Sequence, residues 1–206
     1  MRAEIPMPSL NGAFVRQVRL EVLGRGFAPV ATPSFFDEGL LPEPKRSRSA
    51  PPARIKPWWK FPPLVEYGDW LERLLGRALP EESLGLSDLE LRHEPTGYRD
   101  EQVDKLHADG SYLRSVCTLY GPTTIYREGD EEHSVPVGQT LLMTAMNRAR
   151  AIGVRCTLHR RPGAGPERAV IVCSFEPHVG HQPKKTTLRD SGGRSGHRAS
   201  WTDRRR

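Results

Sequence analysis

The chain has 206 residues, a formal net charge of +6 and an apolar fraction of 36%. That length allows one domain with a substantial core, while nineteen prolines and nineteen glycines mark parts of it as loops. No run of about eighteen apolar residues occurs, so no membrane span is expected, and three cysteines without CxxC spacing give no disulfide framework.

Residues 1–40 form an N-terminal segment. Its opening, Met1 to Pro6, lacks the apolar core of a secretory signal. With Cys117, Cys156 and Cys173 all inside apolar segments, a reducing, cytoplasmic location is the expectation. Residues 12–23 place Phe14, Val18, Leu20 and Val22 on one side and Gln17, Arg19 and Glu21 on the other, which reads as an early strand. Residues 41–63 carry seven prolines and the basic cluster Lys45, Arg46 and Arg48, the composition of a surface loop, with Trp58 and Trp59 as possible anchors.

The helical signal is strongest over 64–79. Tyr67, Trp70, Leu71, Leu74, Leu75, Ala78 and Leu79 recur at i, i+3, i+4, i+7, and Pro80 stops the run. From Leu89 onward eight short segments separated by Gly, Pro and Asp turns read as strands: 89–94, 103–109, 112–120, 123–127, 133–137, 139–146, 152–160 and 168–175. Eight strands suit a mainly β, double-stranded β-helix, a cupin-like jelly roll carrying an N-terminal amphipathic helix, over 64–176. Such a fold has a cavity between its sheets that can hold one metal and a small ligand.

The stretch 177–206 is a basic tail. Eight Lys/Arg against two Asp give it +6, the net charge of the whole chain, so the body is formally neutral. A Ser/Gly/Arg-rich terminus of this kind is expected to be a disordered, solubilising segment. The alternative is an arm for nucleic acid or another polyanion, but Trp201 is its only aromatic for base stacking.

Three residues concentrate the chemistry. His107 and Asp109 are two apart, so in an extended segment both point the same way. His159 lies fifty residues beyond Asp109, on a run where Ile152, Val154, Cys156 and Leu158 alternate with Gly153, Arg155, Thr157 and His159. Two imidazoles and one carboxylate on one face of a metal leave the other face free for co-substrate and dioxygen, the donor set of non-heme Fe(II) oxygenases. Arg168 follows His159 by nine positions, after a Pro/Gly turn that reads as a hairpin, and its forked guanidinium suits a far carboxylate. Taken singly, each has a plainer reading: a structural histidine, a turn aspartate before Gly110, a surface arginine.

The order His-x-Asp, His, Arg resembles the Fe(II)/2-oxoglutarate-dependent dioxygenase superfamily. The likeness covers roughly 89–176 and includes His159-Arg160-Arg161-Pro162 and the strand from Arg168. It implies that His107, Asp109 and His159 bind Fe(II), and that Arg168 holds the distal carboxylate of 2-oxoglutarate. It further implies oxidation, by default hydroxylation, of an unactivated C–H bond in a small molecule or exposed side chain, with O2 as oxidant. Many members carry Ser or Thr two positions after that arginine, where this chain has Val170; Tyr98 or Tyr120 could substitute. The run from Arg114 through Cys117, Thr118, Gly121 and Pro122 to Thr124 also resembles a bacterial family of unknown function.

Two other readings stay open. A cupin-like metal protein would use the same ligands without a keto acid and leave Arg168 idle. A nucleic-acid demethylase of the superfamily would recruit the basic tail, but the arginine pair such enzymes carry at the end of the last strand is absent from Cys173-Ser174-Phe175-Glu176. Arg114, Arg155, Arg160 and Arg161 are placed near the expected mouth, where they could meet a carboxylate or phosphate.

Overall fold

A computed structural model describes residues 10–33, 35, 53–55, 61–163 and 165–178. The tail beyond His178, Trp58, Trp59 and the Lys45–Arg48 cluster lie outside the described residues, while Pro177, the first residue expected in the tail, ends the last strand.

The first element is a helix, α1, Gly12–Gly24, where the alternation predicts a strand. The apolar set satisfies both periods, and the ends decide between them. Asn11 caps the helix by accepting from the Phe14 N–H at 2.9 Å. Val15, Val18 and Val22 form the buried stripe, whereas Leu20 is 72% exposed. The Arg19 guanidinium donates to the Ala78 carbonyl (2.7 Å) and to Glu81 (2.9 Å), tying α1 to the end of the second helix.

Strand β1, Phe27–Ala31, follows. Within the expected loop 41–63, Ala53–Ile55 forms a short strand, β2. Helix α2, Pro62–Ala78, starts on prolines that supply fixed φ where no N–H is needed. It buries Leu64, Tyr67, Trp70, Leu71, Leu74, Leu75 and Ala78, each buried leucine contributing about 2 kcal/mol of transfer free energy. Then come β3 (Leu84–Glu94), β4 (Leu113–Tyr120), β5 (Ile125–Glu128), β6 (Glu131–Ser134), β7 (Gln139–Thr144), helix α3 (Met146–Ile152), β8 (His159–Arg160) and β9 (Arg168–Pro177).

The strands make two antiparallel sheets, one ordered β1-β7-β4-β9-β3-β2 and the other β6-β5-β8. Period-two alternation splits the large sheet into two apolar faces. Ala169, Ile171, Cys173 and Phe175 of β9, with Leu113, Cys117 and Leu142, pack against α1 and α2. Val170 and Val172, with Phe27, Val116, Leu141 and Met143, face inward and meet Tyr126 of the small sheet. This is the two-sheet, mainly β architecture of a jelly roll. Among the described residues, no helix is long and apolar enough to cross a membrane.

Two expected strands differ. Residues 103–109 are turns and bends apart from a single bridge at His107. The segment 152–158 is not a strand, because α3 occupies its start and ends on Gly153, whose φ of +76° suits glycine. The alternation there is still read by burial, with the polar set inward. Thr157, His159 and Arg161 are buried, while Val154, Cys156 and Leu158 are only half-buried. β8 and β9 do not form the expected hairpin, since β8 pairs with β5 in one sheet and β9 with β3 and β4 in the other.

Candidate metal centre

The site is built on one exchange of backbone hydrogen bonds. The His107 N–H donates to the His159 carbonyl and the His159 N–H to the His107 carbonyl, each at 2.9 Å. Residues paired in this way across an antiparallel bridge project their side chains to the same face. The two imidazoles accordingly stand 4.4 Å apart, centroid to centroid. On its far side His159 is the ladder partner of Tyr126, whose ring packs on Phe27 at 4.8 Å. The first histidine is therefore placed by the second, which is itself fixed in a sheet.

Asp109 is held by the start of α3. The N–H groups of Met146, Asn147 and Ala145 donate to the carbonyls of Asp109 (2.9 Å), Ser111 (3.1 Å) and Tyr112 (3.2 Å). The α3 start, free of i−4 partners of its own, thus pins the loop that carries the carboxylate. Asp109 Oδ2 lies 3.3 Å from His159 Nε2 and 3.2 Å from Arg114 Nε. Arg114 in turn donates to Ser174 Oγ, its ladder partner on β9.

His107, Asp109 and His159 converge: one ligand atom from each lies within 4.8 Å of the others. The protonation pattern suits a cation. His107 Nδ1 sits 2.9 Å from the Lys105 carbonyl, which can only accept, so the ring carries its proton there and leaves the Nε2 lone pair outward. Burial pushes the His159 imidazole down to about 4, against the pull of Asp109 and with help from His107 and Arg114. At neutral pH it is an uncharged donor. Two imidazole nitrogens and a carboxylate oxygen fit a divalent transition ion.

Arg168 is buried at the entry of β9, at the other end of an inward strip that runs through Val170 and Val172 to Ser174. It already has a carboxylate partner. Glu94, its ladder partner on β3, accepts from Nε at 2.6 Å and from Nη2 at 3.2 Å. Arg161 reaches the same Glu94 (3.4 Å) and also Asp104 (2.8 Å), with its guanidinium over the Tyr98 ring at 4.6 Å. Neither tyrosine hydroxyl serves Arg168: Tyr98 donates to Asp100 and Tyr120 to Glu167. The hydroxyl residue facing Val170 in the ladder is Thr118.

Of the arginines expected at the mouth, Arg114 belongs to Asp109 and Arg161 to Glu94, Arg160 pairs with Glu132 (2.8 Å), and Arg155 is exposed. Sequence reasoning missed Glu94. The signal was present in Asp88, Glu90, Arg92 and Glu94, four charged residues at period two on one face of β3.

No protein-family model matches the chain, and no curated protein matches it by sequence. Solved structures do match in shape. An oxidoreductase of the 2OG-Fe(II) oxygenase family from Burkholderia pseudomallei superposes with a TM-score of 0.55 at 12% identity, over 89% of this chain and 100% of that one. A prolyl-4-hydroxylase from Pseudomonas putida gives 0.53 at 19%, over 85% and 98%. The non-heme alpha-ketoglutarate-dependent epimerase SnoN of nogalamycin biosynthesis gives 0.53 at 12%, over 93% and 97%. Over most of its length, the chain has the fold of 2OG-Fe(II) oxygenases.

Proposed function

We propose that this protein is an Fe(II)- and 2-oxoglutarate-dependent oxygenase that oxidises a C–H bond, with hydroxylation as the default outcome. The observation that carries the reading is the convergence of His107, Asp109 and His159 in a fold shared with such enzymes. Those three side chains would hold the iron, which with 2-oxoglutarate and O2 supplies the oxidising chemistry. Arg168 is proposed to bind the distal carboxylate of the keto acid. The substrate class is a small molecule or an exposed side chain.

The chain's own residues have definable tasks. Lys105 fixes the His107 tautomer through its carbonyl. Arg114 holds Asp109 from the side facing Ser174, limiting its rotation. Phe27, Val116, Tyr126, Leu141, Met143, Val170 and Val172 pack as an apolar cluster between the sheets, a surrounding that disfavours bulk water beside the site.

One observation favours a second reading. The Arg168 guanidinium is engaged by Glu94, as in a metal protein that takes no keto acid. Turnover separates the two. The purified protein with Fe(II), 2-oxoglutarate and O2 is expected to release succinate and consume O2 slowly without substrate and faster with the right one. An absence of succinate from protein shown to bind Fe(II) would favour the keto-acid-free reading.

A further inference from the structure

We propose that Glu94 is an internal latch on the co-substrate pocket: it occupies Arg168 in the ligand-free protein and is displaced by the distal carboxylate of 2-oxoglutarate. The inference rests on the oxygenase reading and adds to it a residue of this chain that sets co-substrate affinity.

Three observations converge. Glu94 is only 6% exposed and both its oxygens are committed to Arg168, with Arg161 on one of them. A two-pronged pair of this kind takes up the geometry by which an arginine would recognise a ligand carboxylate. Next, the void over the cluster, lined among others by Glu94, Tyr98, Arg161 and Arg168, has a volume of about 10 Å³. That is space for about a single water, and Glu94 itself fills the place that a second carboxylate would take on Arg168. Last, the buried charges already balance. Arg161 and Arg168 face Glu94 and Asp104, so one more carboxylate would leave an uncompensated negative charge out of water. Removing Glu94 from the cluster restores the balance when the ligand arrives.

The position of Glu94 allows that movement. It is the last residue of β3, and the chain turns away through Pro95 and Gly97, whose φ is +75°. The Gly97 N–H donates to the Gly165 carbonyl, at 2.9 Å, across the same opening. A side chain at the end of a strand can swing without breaking the ladder behind it.

The test uses full-length protein loaded with Mn(II), with 2-oxoglutarate binding followed by calorimetry. Glu94→Gln should tighten binding roughly tenfold, the gain expected if the open form is about a tenth of the population. Glu94→Asp, which keeps the charge but draws it back, should tighten it less, and Glu94→Gln/Arg168→Ala should lose the gain. Should the glutamine variant not fold, hydrogen exchange on the wild-type protein decides: 2-oxoglutarate should speed exchange at Thr96 and Gly97, beyond the end of the ladder. Wild-type protein that binds 2-oxoglutarate, with no tighter binding in Glu94→Gln and no faster exchange, overturns the latch and leaves the oxygenase reading standing. Protein that binds Mn(II) but no 2-oxoglutarate in any variant overturns both.

Discussion

Gly121 joins β4 to β5 and sits against the first residues of β9, so a methyl group there bears directly on Arg168. Its φ is +82°, and a Cβ at this position would lie 2.3 Å from the Glu167 carbonyl oxygen, 2.6 Å from Arg168 Cβ and 2.8 Å from Arg168 Cα. Gly121→Ala therefore incurs about 1–2 kcal/mol for the left-handed backbone, and about 1–3 kcal/mol more for displacing backbone that cannot rotate away. Gly129→Ala provides the control. Its φ of +61° brings the first cost, but no atom lies within 4 Å to bring the second. In urea denaturation the two variants should differ by about 1–3 kcal/mol, the steric part alone. In a chain of this size that difference lowers Tm by roughly 2–12 °C. Stabilities equal within about 0.5 kcal/mol would refute the close approach of the β4–β5 turn to β9.

The buried Arg148–Glu82 pair, at 2.6 Å with Arg148 also donating to Thr144, should not tolerate loss of one partner. Arg148→Met is expected to cost about 3–5 kcal/mol in chemical denaturation, and Arg148→Met/Glu82→Leu much less. Asn11→Ala should lose about 1 kcal/mol with the α1 cap, read in the same assay. Arg114→Ala should weaken Fe(II) or Mn(II) binding by about 10–100-fold in equilibrium titration, because Asp109 loses the group that orients it. Arg114→Lys should restore part of that affinity.

How much of this was readable from the chain depends on the kind of signal. α2 was legible because one face of a 3.6-residue period is buried along its whole length, with prolines at the first turn. α1 reads as a strand in the sequence because its apolar residues fit two periods; the Asn11 cap and the valine spacing separate them. His107, Asp109 and His159 were legible as residue types in order, and strand parity put His159 with Thr157 on one face, which the structure buries. The backbone exchange that sets the two histidines side by side was not legible. It joins segments fifty-two residues apart, each of which reads as a strand by itself, and no local pattern says that they pair. Arg168 was legible as a cation at a strand entry, but its burial and its partner were not, because Glu94 reaches it through the register of β3 on β9, which no local pattern encodes.

The proposed metal centre is the most direct place to measure. Anaerobic equilibrium titration of the full-length protein with Fe(II) should give one site per chain. His107→Ala, Asp109→Ala and His159→Ala should each abolish that site while the far-UV circular dichroism stays that of the parent. Retention of the parent's stoichiometry and affinity in the variant lacking all three side chains would contradict a centre at His107, Asp109 and His159.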